Sequence, residues 1–350
     1  MSSWLSYNLT MAVIITIGVL IQGVLLMHTS NEYLKFYDYD RNQPLNPELS
    51  KLRETDFYIA YKVYYDSANS QRVPALLVIP KTGKPPYPCI IFLHGYGGRK
   101  EDVLALVEMA CKEGYTLFSI DAPYHGERSV EGVSLYSTDI EGTKRGFIQT
   151  VIDLRRGLDF LETRADIDKD EIGYAGGSMG GIIGAIFIGV ESRIKAAVLV
   201  VPGGNMSLMI RESEHPAIPP IREYLKRIGM SYDELQKTLD PIDPLNFIWR
   251  FAPRPVQFHI GKYDRIVPAE AGRQLYEKAR EPKEVYWYDT GHDVPLELVT
   301  ARALDFFDKY LKGKSIVIPR EFTLKLFKML PFMLLVVAIL IIVIYLYLKG

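Results

Sequence analysis

Ser178 sits within Gly176-Gly177-Ser178-Met179-Gly180-Gly181, a G-x-S-x-G pattern with glycines on both sides of the hydroxyl. A serine is a poor nucleophile until a base takes its proton, and that base needs an acid to orient it. Glycines beside the serine let a strand and a helix approach closely enough for Oγ to project from a tight turn. The chain holds six histidines. His28 adjoins a long apolar stretch, His259 falls inside a strand-like run, and His215 falls in a proline-rich helical interval. His94 begins the turn HGYGG, and His125 lies in DAPYHGER. His292, in TGHD, is the last histidine and stands between the final strand-like run and the final helical pattern of the central region. It is the expected base. Asp264, in GKYDRIVP, follows a strand-like run and is the expected acid. The chain order Ser178, Asp264, His292 is a nucleophile–acid–base order known from strand–turn–helix serine sites. Asp289, Asp293 and Asp243 are its rivals; Asp289 ends the strand that feeds His292 and is poorly placed to turn back onto its ring.

Acyl transfer also needs two donors already aimed at the developing oxyanion. The backbone N–H of Met179, directly after the nucleophile at a helix start, is one candidate. The backbone N–H of Tyr96 is the other, in a turn where Gly95, Gly97 and Gly98 allow close approach. His94, Gly95, Tyr124 and His125 are expected to border the substrate. The glycine-rich turn carries neither G-x-G-x-x-G nor a following Gly-Lys-Ser/Thr, so it does not read as a phosphate cradle. Two cysteines, Cys89 and Cys111, make neither a disulfide framework nor a cysteine-rich metal site. No metal or organic cofactor is expected.

The elements that must position these groups alternate. Residues 57–65 and 73–79 read as an antiparallel hairpin. Short apolar runs follow at 89–93, 115–120, 172–175, 194–201, 256–260 and 285–288. Between them, Phe147, Val151, Leu154, Leu158 and Leu161 recur at helical spacing, as do Leu296, Val299, Ala303, Phe306 and Tyr310. Strands alternating with helices predict an α/β fold with a mostly parallel sheet covered on both faces. The rhythm breaks between Pro202 and Pro255, where 211–224 and 231–239 read as helices. That interval, about 204–250, is expected to form a small helical lid over the carboxyl ends of the strands.

With 350 residues, 48% hydrophobic and 24% charged, the chain is not a disordered polypeptide. Its net charge of −1 gives no basic excess for nucleic acid. The apolar residues concentrate at the ends. Residues 9–27 and 330–348 are uncharged and close to the roughly 20 residues of a membrane-spanning helix. Both are expected as transmembrane helices, the first an uncleaved anchor because MSSWLSYN carries no Lys or Arg. The organisation expected is then a connector over 28–54, an enzyme-like domain over 55–312 and a span at each end. Lys35, Arg41, Lys312, Lys314, Arg320, Lys325 and Lys328 flank the spans on the inner side against Lys349 outside, which favours a cytoplasmic central domain. Lys325 and Lys328, interleaved with apolar residues, could touch anionic lipid headgroups.

Taken together, HGYGG at 94–98, DAPYHGER at 121–128, GGSMGG at 176–181, GKYDRIVP at 261–268 and GHD at 291–293 give the region 57–311 a family likeness. It resembles the α/β-hydrolases, and within them the esterases and peptidases around dienelactone hydrolase and prolyl oligopeptidase. The resemblance implies acyl transfer to water through an acyl-enzyme on Ser178, with His292 as base then acid and Asp264 holding His292. Two departures narrow it: no β-propeller fits before Phe57, and Ser178 stands where dienelactone hydrolases carry cysteine. A membrane-anchored serine esterase acting on a small acyl ester or a lipid is the expected function. A serine peptidase or amidase on short peptides, and a non-catalytic binding protein on a hydrolase scaffold, are the alternatives.

Overall fold

The computed structural model describes residues 32–316, 318–325, 328–331 and 334–335. The apolar stretch 9–27 lies outside the described residues, as does most of 330–348. Among the described residues no helix is long and apolar enough to cross a membrane.

The strands are β1 (Glu48–Glu54), β2 (Tyr58–Asp66), β3 (Arg72–Pro80), β4 (Tyr87–Leu93), β5 (Thr116–Ile120), β6 (Ile167–Gly177), β7 (Ala196–Val200), β8 (Val256–Gly261) and β9 (Lys283–Tyr288). They form one sheet in the order β1-β2-β3-β5-β4-β6-β7-β8-β9. The pairings β1/β2, β2/β3 and β3/β5 are antiparallel; those from β5 through β4 to β9 are parallel. This is the mostly parallel sheet expected of an α/β-hydrolase. The sequence order reverses around β4, and open α/β sheets place ligands outside the carboxyl ends of strands at such a point. Register makes the consequence concrete: Leu93 of β4 lies opposite Gly176 of β6, so HGYGG and GGSMGG leave the sheet side by side.

The helices named here are α1 (Val107–Lys112), α2 (Ile140–Glu162), α3 (Met179–Val190), α4 (Met206–Glu212), α5 (Pro219–Ile228), α6 (Tyr232–Leu239), α7 (Ala269–Lys278) and α8 (Leu296–Leu311). One core joins α2, α3 and α7 to the sheet through Phe147, Val151, Leu158, Ile183, Phe187 and Leu275. A second packs α1 and α8 against the opposite face through Val107, Cys111, Leu304, Phe307 and Leu311. Helix α2 follows its predicted stripe, all five residues being buried, and Asp139 caps it by accepting from the N–H of Gly142. Helix α8 buries Val299 and Phe306 of its predicted face, with Ala303 and Tyr310 partly covered, but its buried face is wider and takes in Leu304, Phe307 and Leu311, while Leu296 is 57% exposed.

Two expectations need correction. Residues 28–54 are not a mere connector where they are described. The Tyr37 ring is fully buried, edge-on to Phe247 at 5.4 Å, and its hydroxyl donates to Pro241 O at 2.6 Å. Strand β1 then adds an edge whose seven residues are all exposed and which carries Glu48, Lys51, Arg53 and Glu54. Charges of this kind discourage pairing with another chain. The lid helix expected over 211–224 is two helices, α4 and α5, because Pro216 and the pair Pro219-Pro220 break the backbone ladder between them. Helix α6 begins where expected, with a capping box between Ser231 and Glu234.

His259, in the middle of β8, is fully buried. Its Nδ1 accepts from the Tyr288 hydroxyl at 2.7 Å, so the ring is neutral and Nε2–H donates to Gln257 Oε1 at 2.8 Å. Burial, reinforced by Arg302, pushes its pKa down to about 3. The unfolded value is about 6.5, so its contribution to stability is complete above about pH 6.5 and is lost as the pH falls toward about 3. Burial lowers His94 and His125 as well, with the same sign. Urea titrations should therefore show the unfolding free energy declining from about pH 6.5 to about 4.5, above the range where unfolded carboxylates titrate. A flat profile there would contradict these neutral buried rings.

Candidate active site

Ser178 links β6 to α3 with φ 54° and ψ −118°. That conformation is costly for a residue with a Cβ, by about 1–3 kcal/mol, and the surroundings hold it there. The Ser178 N–H donates to Val200 O at 2.8 Å. A Cβ on Gly180 would fall 2.1 Å from Leu93 O, and one on Gly176 would fall 2.5 Å from Gly180 O. These two glycines let α3 press against the ends of β4 and β6. Replacing Ser178 by glycine should relieve the strain. The variant is expected to melt roughly 2 °C above Ser178→Ala, for about 1 kcal/mol net of the greater freedom of unfolded glycine. Equal melting temperatures would show that the turn stores no strain.

The Ser178 hydroxyl donates to His292 Nε2 at 3.0 Å, and His292 Nδ1 donates to Asp264 Oδ2 at 2.8 Å. Asp264 is itself held: its Oδ1 accepts from the N–H groups of Ile266 at 2.9 Å and Val267 at 3.0 Å. A Cβ on Gly261 would sit 2.0 Å from Gly291 O, so glycine there lets the His292 loop close over the end of β8. Three residues separated widely in sequence thus form one relay at the carboxyl ends of β6, β8 and β9. The rival acids are placed elsewhere. Asp289 lies at the surface against Lys262 Nζ at 2.7 Å, and Asp293 is exposed. Asp243 is buried and accepts from the N–H groups of Asn205, Met206 and Leu245, tying the two ends of the lid together.

Met179 opens α3, and the first N–H groups of a helix have no partner within it. The Tyr96 turn lies alongside: a Cβ on Gly95 would sit 3.7 Å from Ser178 Cβ. Of the four residues expected to border the substrate, Gly95 stands here, and the other three do not line the cavity at Ser178. His94 is fully buried as a brace between two turns. Its Nε2 accepts from the Ala122 N–H at 3.2 Å and its Nδ1–H donates to Gly95 O at 2.7 Å. His125 is buried beneath Tyr96, with its ring nitrogen against Pro123 O. Tyr124, at φ 65°, lines a separate polar cleft with Arg72, Arg128 and Gln149.

The cavity that contains Ser178 has a volume of about 60 Å³ and draws part of its lining from the lid, including Met206, Met209, Ile210 and Ile218. Tyr96, Tyr136 and His215 form an aromatic corner of it, Tyr96 and Tyr136 stacking at 4.8 Å. His215 was left aside in the sequence because it sits among helix breakers. Lys100 gave no signal either. It is buried among Asp121, Glu127 and Glu101, and joins the HGYGG and DAPYHGER turns. Burial alone would depress its ammonium pKa, but the three carboxylates raise it.

The model of the acetyl xylan esterase (AXE1) family matches residues 34–310. The chain belongs to that family. As a member of the acetyl xylan esterase family with this fold it is a hydrolase of carboxylic esters. The coarser part of the expected resemblance, an esterase on the α/β-hydrolase fold, holds, and the family is that of the acetyl xylan esterases. Among similar proteins of Bacillus subtilis, the putative hydrolase YtaP is 24% identical over 67% of this chain and 79% of its own length. The putative esterase YitV is 24% identical over 64% of this chain and 89% of its own. Two solved structures share the fold. The acetyl xylan esterase from Paenibacillus sp. R4 has a TM-score of 0.66 at 23% identity, covering 82% of this chain and 94% of that one. Acetyl xylan esterase 1 from a Thermoanaerobacterium species has a TM-score of 0.68 at 21% identity, with the same coverage.

Proposed function

We propose that the protein removes short acyl groups, acetyl above all, from oxygen esters of sugars through an acyl-enzyme on Ser178. The observation that carries this reading is the unbroken relay from Asp264 through His292 to Ser178. His292 Nε2 takes the Oγ proton as Oγ attacks the ester carbonyl. The backbone N–H groups of Met179 and Tyr96 receive the oxyanion. His292 then returns the proton to the departing alcohol oxygen as the carbon–oxygen bond breaks. Water, deprotonated by the same nitrogen, attacks the acyl-enzyme and releases the carboxylic acid and free Ser178. Asp264 fixes the His292 tautomer and offsets its positive charge.

The short acyl group is supported by the solved relatives, described as acetyl xylan esterases, and by the confined, mostly apolar cavity beside the hydroxyl. This argues against the lipid substrate expected from tethering. The sugar alcohol follows from the solved relatives, which are described as acetyl xylan esterases. An acyl series of p-nitrophenyl esters tests the acyl part: kcat/KM should fall steadily from acetate to octanoate, and a rise with chain length would overturn it.

Membrane anchoring by residues 9–27 and 330–348 belongs to the same proposal, supported by their length and lack of charge. So does a domain unit over 55–312 that faces the cytoplasm, supported by the basic inner flanks. Full-length protein should stay in the membrane pellet at alkaline pH, and release into the supernatant would end the anchoring reading. Protease added outside intact cells should leave the domain uncut.

A further inference from the structure

The lid contributes one polar group whose purpose the relay does not explain. His215 lines the same cavity as Ser178, in the turn between α4 and α5. That turn is pinned to the loop of the acid: Ser213 Oγ donates to Ile266 O at 2.5 Å, and the Glu214 N–H donates to Arg265 O at 2.7 Å. The ring is fixed too. It stands at 86° to Tyr96, with centroids 4.8 Å apart. The Ala217 N–H donates to its Nδ1 at 3.1 Å. A nitrogen that accepts carries no proton, so the ring is neutral and its proton is on Nε2. Burial, and secondarily the nearby His292, lower the His215 pKa and reinforce that neutral form. Among the described residues Nε2 has no hydrogen-bond partner, whereas the Ser213 hydroxyl in the same wall is already engaged.

A few placed polar groups in an otherwise apolar pocket set the orientation of a ligand. An acetyl group offers one acceptor, its carbonyl oxygen, and the N–H groups of Met179 and Tyr96 claim that. A further fixed donor has work only if the alcohol part of the ester carries an oxygen of its own. We propose that His215 is a substrate-recognition residue whose Nε2–H donates to a hydroxyl or ring oxygen of a sugar in the alcohol part. It thereby selects sugar acetates over simple acetates. This rests on the serine esterase reading and extends it to a residue outside the relay.

The test compares two acetates on the full-length protein, p-nitrophenyl acetate and an acetylated methyl β-xyloside. His215→Phe keeps a ring against Tyr96 and removes the donor; His215→Gln restores an N–H at a similar reach. His215→Phe should lose about tenfold in kcat/KM on the sugar acetate, the loss expected for one hydrogen bond to a buried partner. Its loss on p-nitrophenyl acetate should be smaller, so that the ratio of the two kcat/KM values falls, and His215→Gln should recover part of the sugar activity. Equal losses on both esters would make the ring a support of the lid and overturn the proposal, as would no loss on either. Wild-type protein that cleaves p-nitrophenyl acetate but no sugar acetate would also overturn it while leaving the serine reading intact. The serine reading is judged apart, by whether Ser178→Ala abolishes cleavage of p-nitrophenyl acetate.

Discussion

Replacing Ser178 with alanine is expected to lower kcat/KM on an acetate ester by about 10⁴-fold or more. The change removes the only atom that would bond to the acyl carbon and leaves everything around it in place. The turn stays fixed by the Val200 carbonyl and by the approach of Gly180 to Leu93. Met179 and Tyr96 keep their N–H groups, so a small residual rate above water is expected from the oxyanion donors alone. Melting should change little, which separates a missing nucleophile from a damaged fold. Steady-state kinetics on the purified variant decide the matter: activity within about tenfold of wild type would place the nucleophile elsewhere.

The second large effect is at Asp264. Its two oxygens do different work, Oδ1 accepting two backbone N–H groups and Oδ2 accepting from His292. Asparagine cannot accept at both. With its oxygen kept on Ile266 and Val267, its amide N–H₂ faces His292 Nδ1 and donates. The imidazole proton then moves to Nε2, the atom that must receive the proton of Ser178. Asp264→Asn should therefore cost about 10³–10⁴-fold in kcat with the shape of the site preserved. Asp289→Asn, at an exposed position against Lys262, should stay within about twofold. The contrast between the two swaps is the informative quantity. Similar losses from both would remove Asp264 from its assigned place.

The reasons these residues were legible in the sequence are local. Gly176 and Gly180 beside Ser178 are demanded by contacts under 3 Å, so the chemistry leaves a mark in composition. His292 and Asp264 were found by their place after strand-like runs, because a site at the carboxyl ends of parallel strands must be built from the residues that follow them. Other features leave no such mark. Strand β1 is paired on one side only and exposed along its whole length, so nothing forces its residues to alternate. Lys100 lies in a charged run that reads as surface, and its burial depends on Asp121 and Glu127, which join it only in the fold. His94 and His125 were misplaced for the opposite reason. They occupy the expected turns, but their rings face inward, where backbone groups claim their nitrogens. The break between α4 and α5 was missed, although Pro216, Pro219 and Pro220 mark it. The residue it delivers to the cavity, His215, carries no such mark, because a turn's direction depends on the Asp264 loop to which it is pinned.

Reaction with a fluorophosphonate, followed by mass mapping of the peptides, tests the central claim most directly. Such a reagent bonds to an activated serine and is not released by water, so the adduct marks the atom that attacks. A single phosphonate on the peptide that contains Ser178, formed by wild type and lost in His292→Ala, is the result predicted. An adduct on another residue, or ester hydrolysis that continues undiminished after complete labelling, would contradict it.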